Sequence, residues 1–307
     1  MPSPEWLIER GIGETRAALV DDGEIVEARV RRDAVVPAGT ILNAKLVSVA
    51  PRVTVEAGGE QFHLPRGVQG VSEGRELRIE VTREALGGSE PWKRGLARIT
   101  DEAERAAPPL AEGKFGTIEG WDDLIGEARE GIIGFDGGEL RIEQTSAMTT
   151  IDVDGWLVPD RLAQMAAWAA ARAIRRLDLT GSIGIDFPTL KGRAERHAID
   201  AILDDYLPQP FERTAMNGFG FVQVVRPKMR PSLIDLAHDR AEFEARALLR
   251  RAGSEIGAIR LAAHPAVIAV LQANPDWIGQ LSRQAGGAVT LRADTSLAMS
   301  AGHAARS

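Results

Sequence analysis

The sequence predicts a mixed α/β protein in which a small β-barrel precedes an α/β unit. Three observations carry this. Short β-like segments follow one another from residue 39 to about 86, with Gly58-Gly59 as one of their turns. A strand at 147–153, a helical repeat at 160–177 and a strand at 181–187 make one strand–helix–strand unit. A further set of helices and strands fills residues 232–307.

Taken in order, ETRAALVDDGEIVEARVR at 14–31 reads as two strands around Asp22-Gly23, a pair suited to a tight hairpin turn. The barrel segments are TILNAKLVSV, RVTVEAGGEQFHL and ELRIEVTREAL. Residues 87–120 are rich in Gly, Pro and charge, and read as a connection with room for one short helix. WDDLIGEAREG reads as a helix and GIIGFDGGELRIEQT as a hairpin turning at Gly137-Gly138. In DRLAQMAAWAAARAIRRL, residues Leu162, Met165, Ala169, Ala173 and Leu177 recur at helical spacing, and Asp160 is placed to cap the helix. GRAERHAIDAILDDYL is another helix, and GFGFVQVVRP a strand stopped at Pro227. The last quarter reads as helix (LAHDRAEFEARALLRRAG), strand (GAIRLAAH), a helical pair broken at Asn274-Pro275, and strand (AVTLRA), with SAGHAARS as a loose tail. The chain thus divides into an N-terminal hairpin region 1–36, a barrel 37–100, an α/β domain 101–231 and a small C-terminal α/β domain 232–307.

Composition narrows the function classes. With 307 residues, 44% hydrophobic and 26% charged, the chain has the balance of a soluble globular protein. No apolar run approaches the ~20 residues of a membrane span, and MPSPEWLIERG lacks the features of a secretory signal. No membrane partner and a cytoplasmic location are the expectation. The absence of cysteine excludes disulfides and thiolate zinc sites. A net charge of −7 argues against nucleic acid held by bulk charge, so an RNA reading must name local basic residues. HExxH, Walker and GxGxxG patterns are absent. A carboxylate pair can also serve glycoside hydrolysis, but aromatics at 5% make poor sugar platforms.

The stretch TTIDVDGW sets Asp152 and Asp154 two positions apart, on one face of a strand. A parallel crossover brings Asp186, at the end of the next strand, to the same sheet edge. Carboxylates from neighbouring strand ends can hold magnesium or manganese, which prefer oxygen ligands, and such an ion suits phosphodiester cleavage. The same acids also read as caps or solvated strand ends. Arg172, Arg175, Arg176, Arg226, Lys228 and Arg230 could line a phosphate groove, or simply solvate a helix face. In the barrel, Phe62 and His63 could stack bases beside Lys93 and Arg94, or Phe62 could belong to the core.

Taken together, ETRAALVDDGEIVE, IEQTSAMTTIDVDG, AIRRLDLTGSIGIDF and FERTAMNGFGFVQVVRPKMRPSL resemble the ribonuclease E/G family in a shortened form. The correspondence runs over about 8–100 and 138–233, and more weakly over 245–298. The resemblance implies an RNase-H-like and deoxyribonuclease-I-like catalytic core with an inserted OB-type barrel and a small C-terminal domain. It implies a magnesium-dependent endoribonuclease acting on single-stranded RNA, with metal aspartates at Asp152 and Asp186. The family's orienting asparagine falls on Asp154, its barrel basic contact near Lys93 or Arg94, and an aromatic stacking position near Phe62 or His63. Several family features are missing. Ser146 replaces a usual glutamate, WLVPD replaces an RGGD-containing loop, and most of the 5′-monophosphate-reading region is absent near 100–120. The zinc-linking cysteines are absent too, so no zinc is expected, and any homodimer would form through the C-terminal domain. An RNA-binding protein without turnover is the rival expectation, and an assembly protein the third.

Overall fold

The computed structural model describes residues 3–87 and 93–306. Strands β1 (Glu5–Arg10), β2 (Glu14–Asp21) and β3 (Glu24–Arg32) form an antiparallel meander. The expected hairpin turn is present, with Asp22 at φ 49° and Gly23 at φ 82°. Strand β1 was not anticipated. It is half-buried along most of its length, with Trp6 and Ile8 packed toward Ala17 and Leu110 and Leu7 packed toward the main core, so no clean alternation marks it.

Strands β4 (Ile41–Ser48), β5 (Thr54–Ala57), β6 (Glu60–His63), β7 (Glu76–Arg83) and β8 (Gly95–Ile99) close into a barrel in the order β4-β5-β6-β8-β7. The fifth strand comes from the stretch that reads as a connection. Leu46, Val55, Phe62, Ile79 and Val81 fill the interior. Gly95 is required there, because a Cβ would fall 2.7 Å from Phe62 Cε1.

The chain then adds β9 (Lys114–Phe115) beside β1, and no helix forms among the described residues of 87–120. Next come α1 (Trp121–Glu130), β10 (Ile132–Phe135), β11 (Gly138–Gln144), β12 (Thr149–Gly155), α2 (Pro159–Arg176), β13 (Gly181–Asp186), α3 (Arg193–Tyr206), β14 (Glu212–Arg213) and β15 (Phe221–Arg226). The sheet order is β10-β11-β12-β13-β15-β14. Only the β12–β13 pair is parallel, as a crossover through α2 requires. The β10–β11 turn is Asp136-Gly137, with Gly137 at φ 99°. Helix α2 is capped by extended Val158 with Pro159 at its first position. Asp160 instead lies in the first turn, near the positive helix end.

Ala163, Ala166, Ala167, Ala170 and Ala171 of α2 are fully buried. Their small side chains let the helix lie close to both sheets. One continuous core joins Ala18, Ile25 and Val30 of the N-terminal strands to α1, α2 and the six-stranded sheet. The N-terminal hairpin is therefore a layer of the same core as the six-stranded sheet.

The final segment contains α4 (Leu233–His238), α5 (Arg240–Ala252), β16 (Ile259–Ala263), α6 (Pro265–Ala273), α7 (Pro275–Ala285), β17 (Val289–Ala293) and β18 (His303–Arg306). The single helix expected at 236–253 begins earlier and breaks at Asp239, with Ser232 and Asp235 forming a capping box on α4. Residues 303–306 of the expected loose tail form a strand. β18 pairs antiparallel with β16 from Ile259↔Arg306 to Ala262↔His303, a partner that an Ala-rich segment does not advertise. No described helix is long and apolar enough to cross a membrane.

Candidate active site

In β12, Thr149, Ile151 and Val153 are buried while Asp152 and Asp154 are exposed; in β13, Ile183 and Ile185 are buried and Asp186 is exposed. The parallel register sets Asp152 directly opposite Asp186. Neighbouring strands lie ~4.8 Å apart, so the two carboxylates stand side by side on the open face. Cross-strand pairing extends this row to Arg141 on β11 and Phe221 on β15. Below it, Gly184 leaves room for its neighbours. A Cβ there would lie 2.7 Å from the Phe221 ring and 2.9 Å from the Met148 sulfur.

Burial raises the Asp152 pKa, and the Asp154 and Asp186 charges push it further the same way. A Val153 N–H bond and the Arg141 charge oppose the rise. Asp154 is engaged differently, with Arg141 Nε 3.4 Å from its carboxylate while Arg141 also pairs with Glu139. Among the described residues, no ion pair holds Asp152 or Asp186, and no group of three or more His, Cys, Asp or Glu could hold a metal. Asp152 and Asp186 therefore offer two hard oxygen donors with free approach from solvent, and Asp154 leans to the arginine.

The residues expected to bind RNA are placed less uniformly. Phe62 is 0% exposed inside the barrel and presents no face to a base, because β6 turns it inward between Gln61 and His63. His63 is half-buried with Nδ1 3.1 Å from Thr54 Oγ1. Burial depresses its pKa, as do the nearby charges of Arg94, Arg52 and Arg83, so a basic patch surrounds it. Arg94 is exposed on that patch and Lys93, beside it, is half-buried.

Arg226 and Lys228 correct the expectation of a groove at the acid pair. Strand β15 runs antiparallel to β13, so Arg226 pairs with Gly181 at the far end of the strand from Asp186. Its guanidinium donates to the carbonyls of Leu179 (2.5 Å) and Pro208 (3.2 Å). Lys228 Nζ lies 2.9 Å from Asp235. The other arginines are likewise taken: Arg172 pairs with Glu24, Arg175 with Glu27, Arg176 with Glu127 and Arg230 with Asp178.

Sequence reasoning missed Arg141, Phe221 and Met148. The alternation in GELRIEQ, which puts Glu139, Arg141 and Glu143 on one face, carried the signal for Arg141 once β11 is placed beside β12. Phe221 depends on the antiparallel return of β15, and Met148 on the parallel register that sets the start of β12 beside β13.

An alignment 109 positions long, covering 32% of the chain, is 34% identical to ribonuclease G of Escherichia coli K12. Similar matches are found to ribonuclease G of Salmonella typhimurium, at 34%, and of Haemophilus influenzae, at 36%. Over that third, the chain is similar to ribonuclease G. The likeness supports a relationship to the ribonuclease E/G family, and the matched stretch spans 22% of the relatives' own length. No family model matches the chain.

Proposed function

We propose that this chain is a metal-dependent endoribonuclease acting on single-stranded RNA, with Asp152 and Asp186 holding one magnesium or manganese ion. The observation that carries this is the parallel register that sets the two aspartates side by side, neither of them in an ion pair among the described residues. The donor set fits a hard divalent ion that keeps most of its water shell. It does not suit zinc, which favours imidazole or thiolate donors where this pair offers carboxylate oxygens. When bound, the ion supplies Lewis acidity toward a phosphate oxygen and toward water. The chain's own residues hold that ion and position the strand. Asp154 pins Arg141, which flanks Asp152 in the neighbouring strand. The OB-type barrel brings its basic patch around His63 and Arg94 to the phosphate backbone. A strand bridging the two must cross the sheet. The barrel's hydrogen-bonded junction, from Glu84 N–H to the Met229 carbonyl (2.9 Å), lies beyond the Gly181 end of β13.

The test is cleavage of a short fluorescent single-stranded RNA in magnesium or manganese. Asp152→Ala and Asp186→Ala should each lower the rate at least about 100-fold, the scale of several kcal/mol of metal-borne stabilisation. Equal rates in all three proteins would remove the assignment. The Asp154–Arg141 pairing, which leaves only two free carboxylates, favours one alternative: an RNA-binding protein without turnover. That reading predicts metal-independent binding and no cleavage.

A further inference from the structure

The two most exposed large hydrophobic side chains among the described residues are Phe219, at 82%, and Trp156, at 80%. They are distant in sequence yet share one place in the fold. Trp156 follows β12 directly, and its N–H still donates to the Gly137 carbonyl (3.1 Å), so the ladder runs one residue past Gly155. Phe219 precedes β15, whose antiparallel course puts it at the same sheet edge, just past the row where Phe221 faces Asp186. Because β12 and β15 flank β13 in the sheet, the two aromatics stand on opposite sides of β13 and its aspartate.

Their backbones are tied down. Phe219 N–H donates to Asn217 Oδ1 (2.9 Å), Thr189 Oγ1 donates to the Phe219 carbonyl (3.2 Å), and Phe187 N–H donates to the Gly220 carbonyl (3.2 Å). Gly220 has φ 99°, and a Cβ there would collide with the Phe187 carbonyl. The loop is therefore shaped to project Phe219 outward. Apolar surface of this size left in water forgoes burial, and here it borders a cluster of acids. A basic side chain in that place would be drawn into ion pairs, as Arg141 is. A neutral aromatic face can hold RNA there without competing for the carboxylates.

We propose that Trp156 and Phe219 stack on the bases either side of the phosphodiester presented to Asp152 and Asp186. The proposal rests on the nuclease reading above and adds to it the basis of strand choice. Unpaired bases can be splayed onto two separated aromatic faces, whereas duplex bases are already stacked and paired. Because every base has a π-face, such a clamp selects unpaired strands with little sequence preference.

The test uses the full chain with Trp156→Ala, Phe219→Ala, Trp156→Phe and Phe219→Tyr, each checked for an unchanged melting temperature. Substrates are a fluorescent single-stranded RNA and copies carrying one abasic nucleotide at successive positions. Each alanine variant should raise KM about 10-fold with kcat little changed, the scale of one base–aromatic stack. The aromatic replacements should restore it. An abasic nucleotide at the stacked position should weaken the parent but add nothing to the matching alanine variant. Unchanged KM in both alanine variants, with cleavage still lost in Asp186→Ala, overturns the clamp and leaves the nuclease reading standing. If the parent cleaves nothing, the nuclease reading fails, and anisotropy titration of the same RNAs decides the clamp. A binding loss restored by the aromatic replacements upholds it; unchanged affinity overturns it.

Discussion

Asp152 holds its charge where burial and two neighbouring carboxylates oppose it. Its raised pKa means that the folded protein is destabilised by this group at neutral pH and relieved as pH falls and the carboxyl protonates. Asp152→Asn should therefore raise the melting temperature at pH 7 in EDTA while abolishing cleavage, and the gain should shrink as pH drops into the carboxylate range. A melting-temperature profile against pH checks the sign; a variant that melts lower at pH 7 would refute it. At this scale the acid pair was legible, because alternation in TTIDVDG, and the apolar Ile183 and Ile185 ahead of Asp186, mark which side chains face out. Phe62 was not. The same alternation that exposes an aspartate on a sheet turns a phenylalanine into a closed barrel, and a pattern of period two does not reveal what lies on either side.

Elements decide which groups meet. The crossover through α2 was readable from its helical repeat, and it accounts for the juxtaposition of Asp152 with Asp186. The direction of β15 was not readable, and it carries Arg226 and Lys228 away from the acids. Lys228 is a structural cation, since Asp235 beneath it is buried and shared with the α4 capping box. Lys228→Ala should cost roughly 1–3 kcal/mol by denaturant unfolding, less than a fully buried pair because the lysine keeps some solvent access. The salt dependence of RNA binding should not change. Arg94→Ala should do the reverse, leaving stability intact and lowering the salt slope by about 1. Strands β1 and β18 escaped reading because neither shows an alternating face of its own, and β18 pairs with a strand some forty residues earlier.

Across the whole molecule, two sheets enclose α1 and α2, and the barrel meets this core where the Glu84 N–H donates to the Met229 carbonyl. Buried Glu84 sits at that joint with its pKa raised to about 7 by burial, near Arg31 and Arg230. A raised carboxyl stabilises the joint at acid pH and loses that contribution as pH climbs through about 7. Glu84→Gln should thus unfold later than the parent at pH 8 and converge with it near pH 5, a contrast visible in paired thermal melts. Equal melting at both values would contradict the assignment. The barrel's closure and the layered core were legible as a fold class from turn spacing and helical repeats, while the inclusion of the N-terminal strands in the main core was not.

The single parallel pair in the six-stranded sheet has a temporal consequence. Its two aspartates arrive on opposite sides of an 18-residue helix, and the outer support of the second comes only with the antiparallel return of residues 221–226. A chain still threading from the ribosome thus carries one half of the pair and then both halves unsupported. The two acids therefore meet only once residues 181–186 have followed the helix out, and they gain their outer neighbour only with residues 221–226.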